Sequence, residues 1–350
     1  MPADTVPSSG APAHAAVICG VGYWLPPHVV TNADLRTRLG TTHEWIHSRT
    51  GISSRHVAPP GMATSDLAVE AGARALKSAG DGEVQALVLA TTTPDRPCPA
   101  TAPEVASRLG LTGIAAFDVS AVCTGFLYGL ATASGLIAAG LAERVLLIAA
   151  ETFSTLLDPE DKTTVPIFGD GAGAVVLRRG TSDEPGAIGH VVLGSDGERS
   201  DLITVEAGGS RQRSSGRPAT PEQAYFRMQG REVFRHAVER MTMAATAAVD
   251  AAGWRLDDVD RLITHQANAR ITSVIASELG IPPERRAQNI EQVGNTAAAS
   301  LPVLLAQEAA DGNLAPGDRV LLAAFGGGLT WGATTVVWPE LTSAHGADEQ

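Results

Sequence analysis

Apolar positions along this chain fall into patterns that occur twice. In the first half, SDLAVEAGARALKSAG (65–80) sets alanine and leucine at helical spacing and leads into the apolar run VQALVLATTT (84–93). In the second half, MAATAAVDAAGW (243–254) leads into VDRLITHQ (259–266) in the same order. Both helical stretches end at an Ala-Gly pair, and glycine readily takes the left-handed turn that closes a helix. RVLLIAA, from Arg144, likewise recurs as RVLLAAF, from Arg319. Each copy precedes a glycine-rich turn and a strand, FGDGAGAVVL (168–177) and FGGGLTWGATTVV (325–337). Two similar halves of alternating strands and helices predict an α/β fold of two mixed sheets, with helices between and outside them. The halves meet near 179–186, and the polar, Gly-, Ser-, Arg- and Pro-rich segment 208–224 predicts a surface loop.

The glycine cluster FGDGAGA superficially suggests a dinucleotide loop. That fingerprint must open a helix, whereas valines and leucine follow here and predict a strand. The other junctions carry more chemistry. The alternating run AAFDVSAVC gives way at Cys123 to TGFLYGLATASGLIAAG, which places one thiol at a predicted helix N-terminus. Unpaired backbone N–H groups and the helix dipole favour a thiolate there, and a thiolate is a nucleophile. A buried structural cysteine is the plainer reading of the same residue. His265 ends the apolar run VDRLIT and precedes a helical pattern, and Asn295 stands at a loop-to-helix change in VGNTAAAS. By themselves these two read equally well as a satisfied polar residue and a cap. A cysteine, a histidine and an asparagine so far apart converge only through the fold.

Composition narrows the setting. A chain of 350 residues with 44% hydrophobic and 18% charged residues has globular proportions and enough length for a sizeable core. Cys19, Cys98 and Cys123 show neither a disulfide framework nor metal-ligand spacing, which suits a reducing cytoplasm. A net charge of −12 argues against nucleic-acid binding, and no apolar run approaches the roughly 18 residues of a membrane span. The first residues lack the charged and apolar regions of a signal peptide. The expected division is a disordered leader at 1–15, an N-terminal half at 16–180, a C-terminal half at 181–340 and a flexible tail at 341–350.

DVSAVCTGFLYGL, FGDGAGAVVL, HQANARI, GNTAAAS and FGGGLTWG together resemble the signature stretches of beta-ketoacyl-acyl-carrier-protein synthase III, the initiating condensing enzyme of the thiolase-like fold. WIHSRTGI and MQGREVF fit the same pattern, and the likeness runs from about Ala16 to Pro339. The resemblance implies a layered αβαβα architecture and Cys123, His265 and Asn295 as a catalytic triad. It also implies an oxyanion hole from the N–H groups of Cys123 and Gly327. Coenzyme A is expected to meet Trp45 and Lys162 around its adenine, Arg49 and Arg270 at its phosphates, and Asn268 along its pantetheine arm. Lys162 stands where an arginine is common, so a cationic contact replaces planar stacking.

The same resemblance implies acyl-CoA and malonyl-acyl carrier protein as substrates, a homodimer, and no metal or other cofactor. Because such carriers are acidic, docking on a chain of negative net charge requires a local basic patch, assigned to Arg235 and Arg270. Ser277 and Glu278 stand where some relatives carry lysines on the helix after HQAN. Phe325 is expected to line the acyl site, and Cys98 to sit at a loop tip reaching into the partner's acyl pocket. Relatives that prefer acetyl carry phenylalanine at the position of Cys98, so a larger primer is expected. Three other readings compete. A non-condensing acyltransferase of the same fold would favour a changed asparagine. A papain-like hydrolase would need a different cysteine context, and an inactive scaffold would have lost Cys123.

Overall fold

In a computed structural model the chain is described over residues 14–341. The expected tail lies outside the described residues except for Leu341. The expected leader lies outside them except for His14 and Ala15, which correct it: both already pair with Thr181 and Gly180 in the first strand.

The first sheet has five strands, in the order His14–Trp24, Gly171–Thr181, Arg144–Glu151, Ala86–Ala90 and Ala115–Val119. The second has four, in the order Arg261–Thr264, Arg319–Gly326, Thr330–Val337 and Val192–Ser195. The repeat seen in the sequence becomes one pairing scheme used twice. Ala86–Ala90 pairs parallel with Arg144–Glu151, and Arg261–Thr264 pairs parallel with Arg319–Gly326. In each case the strand after the glycine turn then adds antiparallel. FGDGAGAVVL therefore opens a strand, as its valines predict.

Helices fill three layers. Thr64–Ala79 and Ala102–Arg108 bury Leu67, Ala71 and Val105 against the outer face of the first sheet. Gly230–Ala251 and Ala269–Glu278 bury Met241, Val249 and Ile275 against the outer face of the second. Between the sheets lie Gly125–Ala138 and Ser300–Ala310, whose Phe126, Leu130, Leu301 and Leu305 share one core with Val88, Val175, Ile263 and Leu322. These central helices are apolar around most of their circumference because both faces meet a sheet. The result is the expected αβαβα sandwich. Its layers sit close enough to demand glycine: a Cβ at Gly22 would stand 2.4 Å from the backbone nitrogen of Ala75. The two sheets are stitched where the halves meet, as Gly186 accepts from the Ile18 N–H and donates to the Val337 carbonyl. Segment 208–224 is a surface excursion holding the short helix Ser210–Ser214, exposed except at Gln212 and Gln223, which are half-buried.

Candidate active site

The strand Ala115–Val119 leads into a single tight turn, Val122–Thr124, from which the central helix Gly125–Ala138 runs. Val122 holds φ at 47°, a left-handed conformation costly for a β-branched residue. The turn is braced by the Thr124 hydroxyl, which donates to the Ala121 carbonyl at 2.6 Å. Cys123 is buried, 8% exposed. Against it lies the end of strand Arg319–Gly326: a Cβ on Gly326 would fall 2.8 Å from the Cys123 nitrogen and 3.2 Å from its Cβ. This close approach sets the backbone of Gly326 and Gly327 beside the nucleophile candidate.

His265 follows strand Arg261–Thr264 and donates its N–H to Ala323 of the neighbouring strand at 2.9 Å. It is therefore held beside the strand whose end touches Cys123. Asn295 is fixed from both sides, its N–H donating to Ile167 at 2.9 Å and its carbonyl accepting from Gly169 at 3.0 Å. The following turn, Ala297–Ala299, packs at the start of the cysteine helix, where a Cβ on Gly125 would meet that of Ala298 at 3.2 Å. The Asn295 Oδ1 accepts from the Ala297 N–H at 2.9 Å, so its NH2 is the group left to face a ligand. Ala297 itself has φ 47°, so both turns of the site are strained.

Burial governs the ionisation here. It pushes the Cys123 thiol well up, with the carboxylate of Glu151 adding to the effect, and this corrects the expectation of a resting thiolate. The helix terminus favours the charged form, but desolvation of a buried sulfur outweighs it. Burial also pulls His265 down to about 3, so its imidazole is neutral at physiological pH. Its Nδ1 has no hydrogen-bond partner among the described residues.

A cavity of about 690 Å³ opens next to this turn, lined by Val122, Phe153, Leu156, Ile203 and Phe226 on one side and by Thr64, Thr92, Thr93 and Thr152 on another. Phe153, Phe168 and Phe226 form one aromatic cluster, with centroids 4.5 and 5.1 Å apart. Two expected pocket residues do not line this cavity. Cys98 is exposed, with only its neighbour Pro97 on the wall, and Phe325 packs with Leu202 and Trp331 in the outer core of the second sheet.

The expected coenzyme residues gather in part. Helix His43–Thr50 abuts the start of helix Ala269–Glu278, since Arg270 donates to the Ser48 carbonyl at 2.5 Å and Asn268 to that of Arg49 at 3.0 Å. The Arg49 guanidinium lies 4.5 Å over the Trp45 ring. Asn268 caps its helix through an Oδ1 bond from the Arg270 N–H at 2.9 Å, so both ends of its amide are already engaged within the protein. Lys162 and Arg235 are exposed. Sequence reading passed over Glu151 and the threonines beside it. The one available signal was a carboxylate directly after the apolar run RVLLIAA.

Among the described residues no cluster of three or more His, Cys, Asp or Glu could hold a metal ion, and no helix is long and apolar enough to cross a membrane.

The doubled α/β sandwich, with a buried cysteine, histidine and asparagine at the ends of its repeats, is a thiolase-like fold. Residues 117–197 match the family described as 3-oxoacyl-[acyl-carrier-protein] synthase III, and residues 249–338 match its C-terminal part. Beta-ketoacyl-[acyl-carrier-protein] synthase III 3 of Streptomyces coelicolor is 59% identical over 93% of this chain and 98% of its own. The synthase III of Pseudomonas aeruginosa is 49% identical over 93% of this chain and 98% of its own. The P. aeruginosa crystal structure superposes with a TM-score of 0.88 at 47% identity, covering 94% of this chain and 99% of that one. The priming beta-ketosynthase of the R1128 polyketide pathway superposes with a TM-score of 0.87 at 33% identity, covering 95% and 99%. The chain belongs to the beta-ketoacyl-[acyl-carrier-protein] synthase III family.

The His265 environment generates a stability prediction. Its folded pKa, about 3, lies below the unfolded value near 6.5, so the unfolded chain binds the extra proton between these limits. Stability is therefore present above pH 6.5 and lost as pH falls. At pH 5 this one group removes about 2 kcal/mol relative to pH 8. Urea unfolding of wild type and His265→Gln at the two pH values should show the variant losing less on acidification; equal losses would contradict the assignment.

Proposed function

We propose that this enzyme loads an acyl group from acyl-CoA onto Cys123 and condenses it with malonyl carried on an acyl carrier protein. The Cys123 sulfur attacks the thioester carbonyl, the oxyanion is held by the N–H groups of Cys123 and Gly327, and the C–S bond to coenzyme A breaks. Because burial keeps the thiol protonated at rest, its proton leaves during attack and ends on the departing CoA sulfur, while His265 stays a neutral Nε2–H donor. Malonyl then replaces CoA. Its C–CO2 bond breaks, carbon dioxide leaves, and the electron pair forms an enolate whose oxygen takes hydrogen bonds from His265 Nε2–H and the Asn295 NH2. The enolate carbon attacks the acyl-enzyme carbonyl, and the C–S bond breaks to release a beta-ketoacyl product and return the Cys123 thiolate, which takes one proton from solvent to restore the resting thiol.

The observation that carries this reading is the Asn295 amide. Its oxygen is committed to the Ala297 N–H, so it offers a donor and not an acceptor to the site. A donor beside a neutral histidine suits an enolate oxygen, and it counts against a non-condensing acyltransferase. No metal or other cofactor enters this scheme. Alanine at Cys123 should abolish acylation by acyl-CoA, measured by intact mass. Alanine at His265 or Asn295 should leave acylation measurable and reduce malonyl decarboxylation about a hundredfold to a thousandfold, the loss of one oxyanion donor. Normal acylation of Cys123→Ala would sink the scheme.

Coenzyme A is assigned to Trp45, Arg49, Lys162, Asn268 and Arg270, with Arg49 covering one face of the Trp45 ring and leaving the other for adenine. Arg235 and Arg270, both exposed, are assigned to the carrier protein. The three free cysteines suit a cytoplasmic setting. The primer is assigned to the cavity behind Val122, whose volume and apolar side exceed the needs of acetyl. Each further buried methylene contributes about 0.8 kcal/mol. With acetyl-, butyryl-, isobutyryl- and hexanoyl-CoA offered together, the four- to six-carbon groups should dominate the mass added to Cys123, and Cys98→Phe should suppress them selectively. Preference for acetyl by the wild type would refute this.

Among the described residues the edge strand Ala115–Val119 pairs on one side only, and its Phe117 and Val119 stay half-buried, which favours a second copy across that edge. The exposed Cys98 is assigned to the acyl pocket of that second copy. Light scattering at micromolar concentration should give twice the chain mass of 36.1 kDa; a single-chain mass would exclude the homodimer.

A further inference from the structure

Glu151 has no part in the steps above, yet it is fully buried at the end of strand Arg144–Glu151. Its two oxygens accept from the Thr92 N–H at 3.0 and 3.1 Å, and Oε2 also accepts from the Thr93 hydroxyl at 2.7 Å. Thr93 carries the network onward. Its hydroxyl oxygen accepts from the Thr152 N–H at 3.0 Å, and its carbonyl accepts from the Thr64 hydroxyl at 2.6 Å. These four threonines form the polar wall of the cavity. On its other side the Ala298 N–H favours the charged carboxylate, and the adjacent Ala297 N–H is the one that locks the Asn295 amide. Ala297 holds φ at 47°, and such a residue stays in place only when its surroundings over-determine it.

We propose that Glu151 is a positioning residue for this reaction: its buried carboxylate ties the threonine wall of the acyl cavity to the Ala297–Ala299 turn that aims Asn295, and it keeps a negative charge behind Cys123. The proposal rests on the condensing reading given above. Through it, the wall that meets the primer and the donor that meets the enolate share one anchor, so displacement of either is felt at the other.

The charge has its own signature. Burial raises Glu151 to about 7 against the lowering effect of its Thr93 and Thr92 donors, so the side chain is charged above that pH and neutral below it. The elements around it bring few ionisable groups. Thr91–Thr93 come from one side, Gly171 from its register partner, and Ala297–Ala299 from below, while the Val122–Thr124 turn brings Cys123, whose thiol the charge pushes up. Asp170, next to Gly171, turns its carboxylate to the Ser154 hydroxyl at 2.6 Å and the Ala58 N–H at 2.8 Å.

Glu151→Gln keeps the shape and removes the charge. The pH midpoint for iodoacetamide alkylation of Cys123 should then fall by about one unit, the scale of a like-charge effect. Malonyl-CoA decarboxylation should drop about tenfold or more while acylation by acyl-CoA persists, because the amide cannot accept from both sides as the carboxylate does. Thr93→Val is the second variant: it keeps the charge and removes one donor, so decarboxylation should fall severalfold with no downward move of the midpoint. An unmoved midpoint in Glu151→Gln, decarboxylation within twofold of wild type in both variants, or parallel loss of acylation and decarboxylation would overturn the proposal. The wild-type decarboxylation rate tests the condensing reading, and the alkylation profile tests this one independently of it.

Discussion

Gly326 runs so close to Cys123 that no side chain fits between them, and that contact joins the two halves of the protein at the point of reaction. Cys123 begins a helix of the first half, and Gly326 ends a strand of the second. Once the two backbones touch, the neighbouring strand brings His265 to the same end of the sheet, because His265 is bonded to Ala323 only three residues from Gly326. The Asn295 turn arrives from the remaining side, against the helix start at Gly125. A larger residue at position 326 would separate the halves where their separation matters most.

Excluding water from this junction has chemical consequences. In a low-dielectric pocket the uncharged forms of sulfur and imidazole are favoured, and every donor aimed at a developing negative charge gains strength. The site rests as a neutral thiol and a neutral imidazole, which suits chemistry whose charges appear only transiently. The same tight packing holds Val122 and Ala297 in left-handed conformations that cost about 1–3 kcal/mol each. Bonds to neighbouring elements offset that strain: the Thr124 hydroxyl to that of Thr330 on one turn, and the Asn295 backbone to Ile167 and Gly169 beside the other. The residues the chemistry needs are thus placed by backbone turns that would relax in isolation.

The cavity beside the turn has two unlike walls. Phe153, Leu156 and Phe226 supply apolar surface, and they pack on Phe168, whose neighbour Gly169 is bonded to Asn295. Of the threonines opposite, the hydroxyls of Thr64, Thr93 and Thr152 are satisfied through Glu151 and one another, while that of Thr92 has no partner among the described residues.

The doubled strand and helix pattern, the helix starts at Cys123 and after Asn268, and the strand after FGDGAGA were all legible in the sequence, because periodicity and turn chemistry are local properties. So were Cys123, His265 and Asn295 as candidates, since each stands where one element ends and another begins. Their protonation states were not legible: the helix terminus argued for a thiolate, and only burial, a property of the assembled layers, reversed it. Phe325 read as a pocket residue from its motif but faces the outer core, because strand register decides which side a residue takes. The cap that Asn268 forms on its helix was not read from the sequence, where the residue was expected only along the pantetheine arm. Glu151 was silent in the sequence, since its meaning lies in bonds to Thr92 and Thr93, 58 or more positions away. Local order is set by neighbours along the chain, whereas charge, contact and role here are set by neighbours across it, and only tertiary packing chooses those.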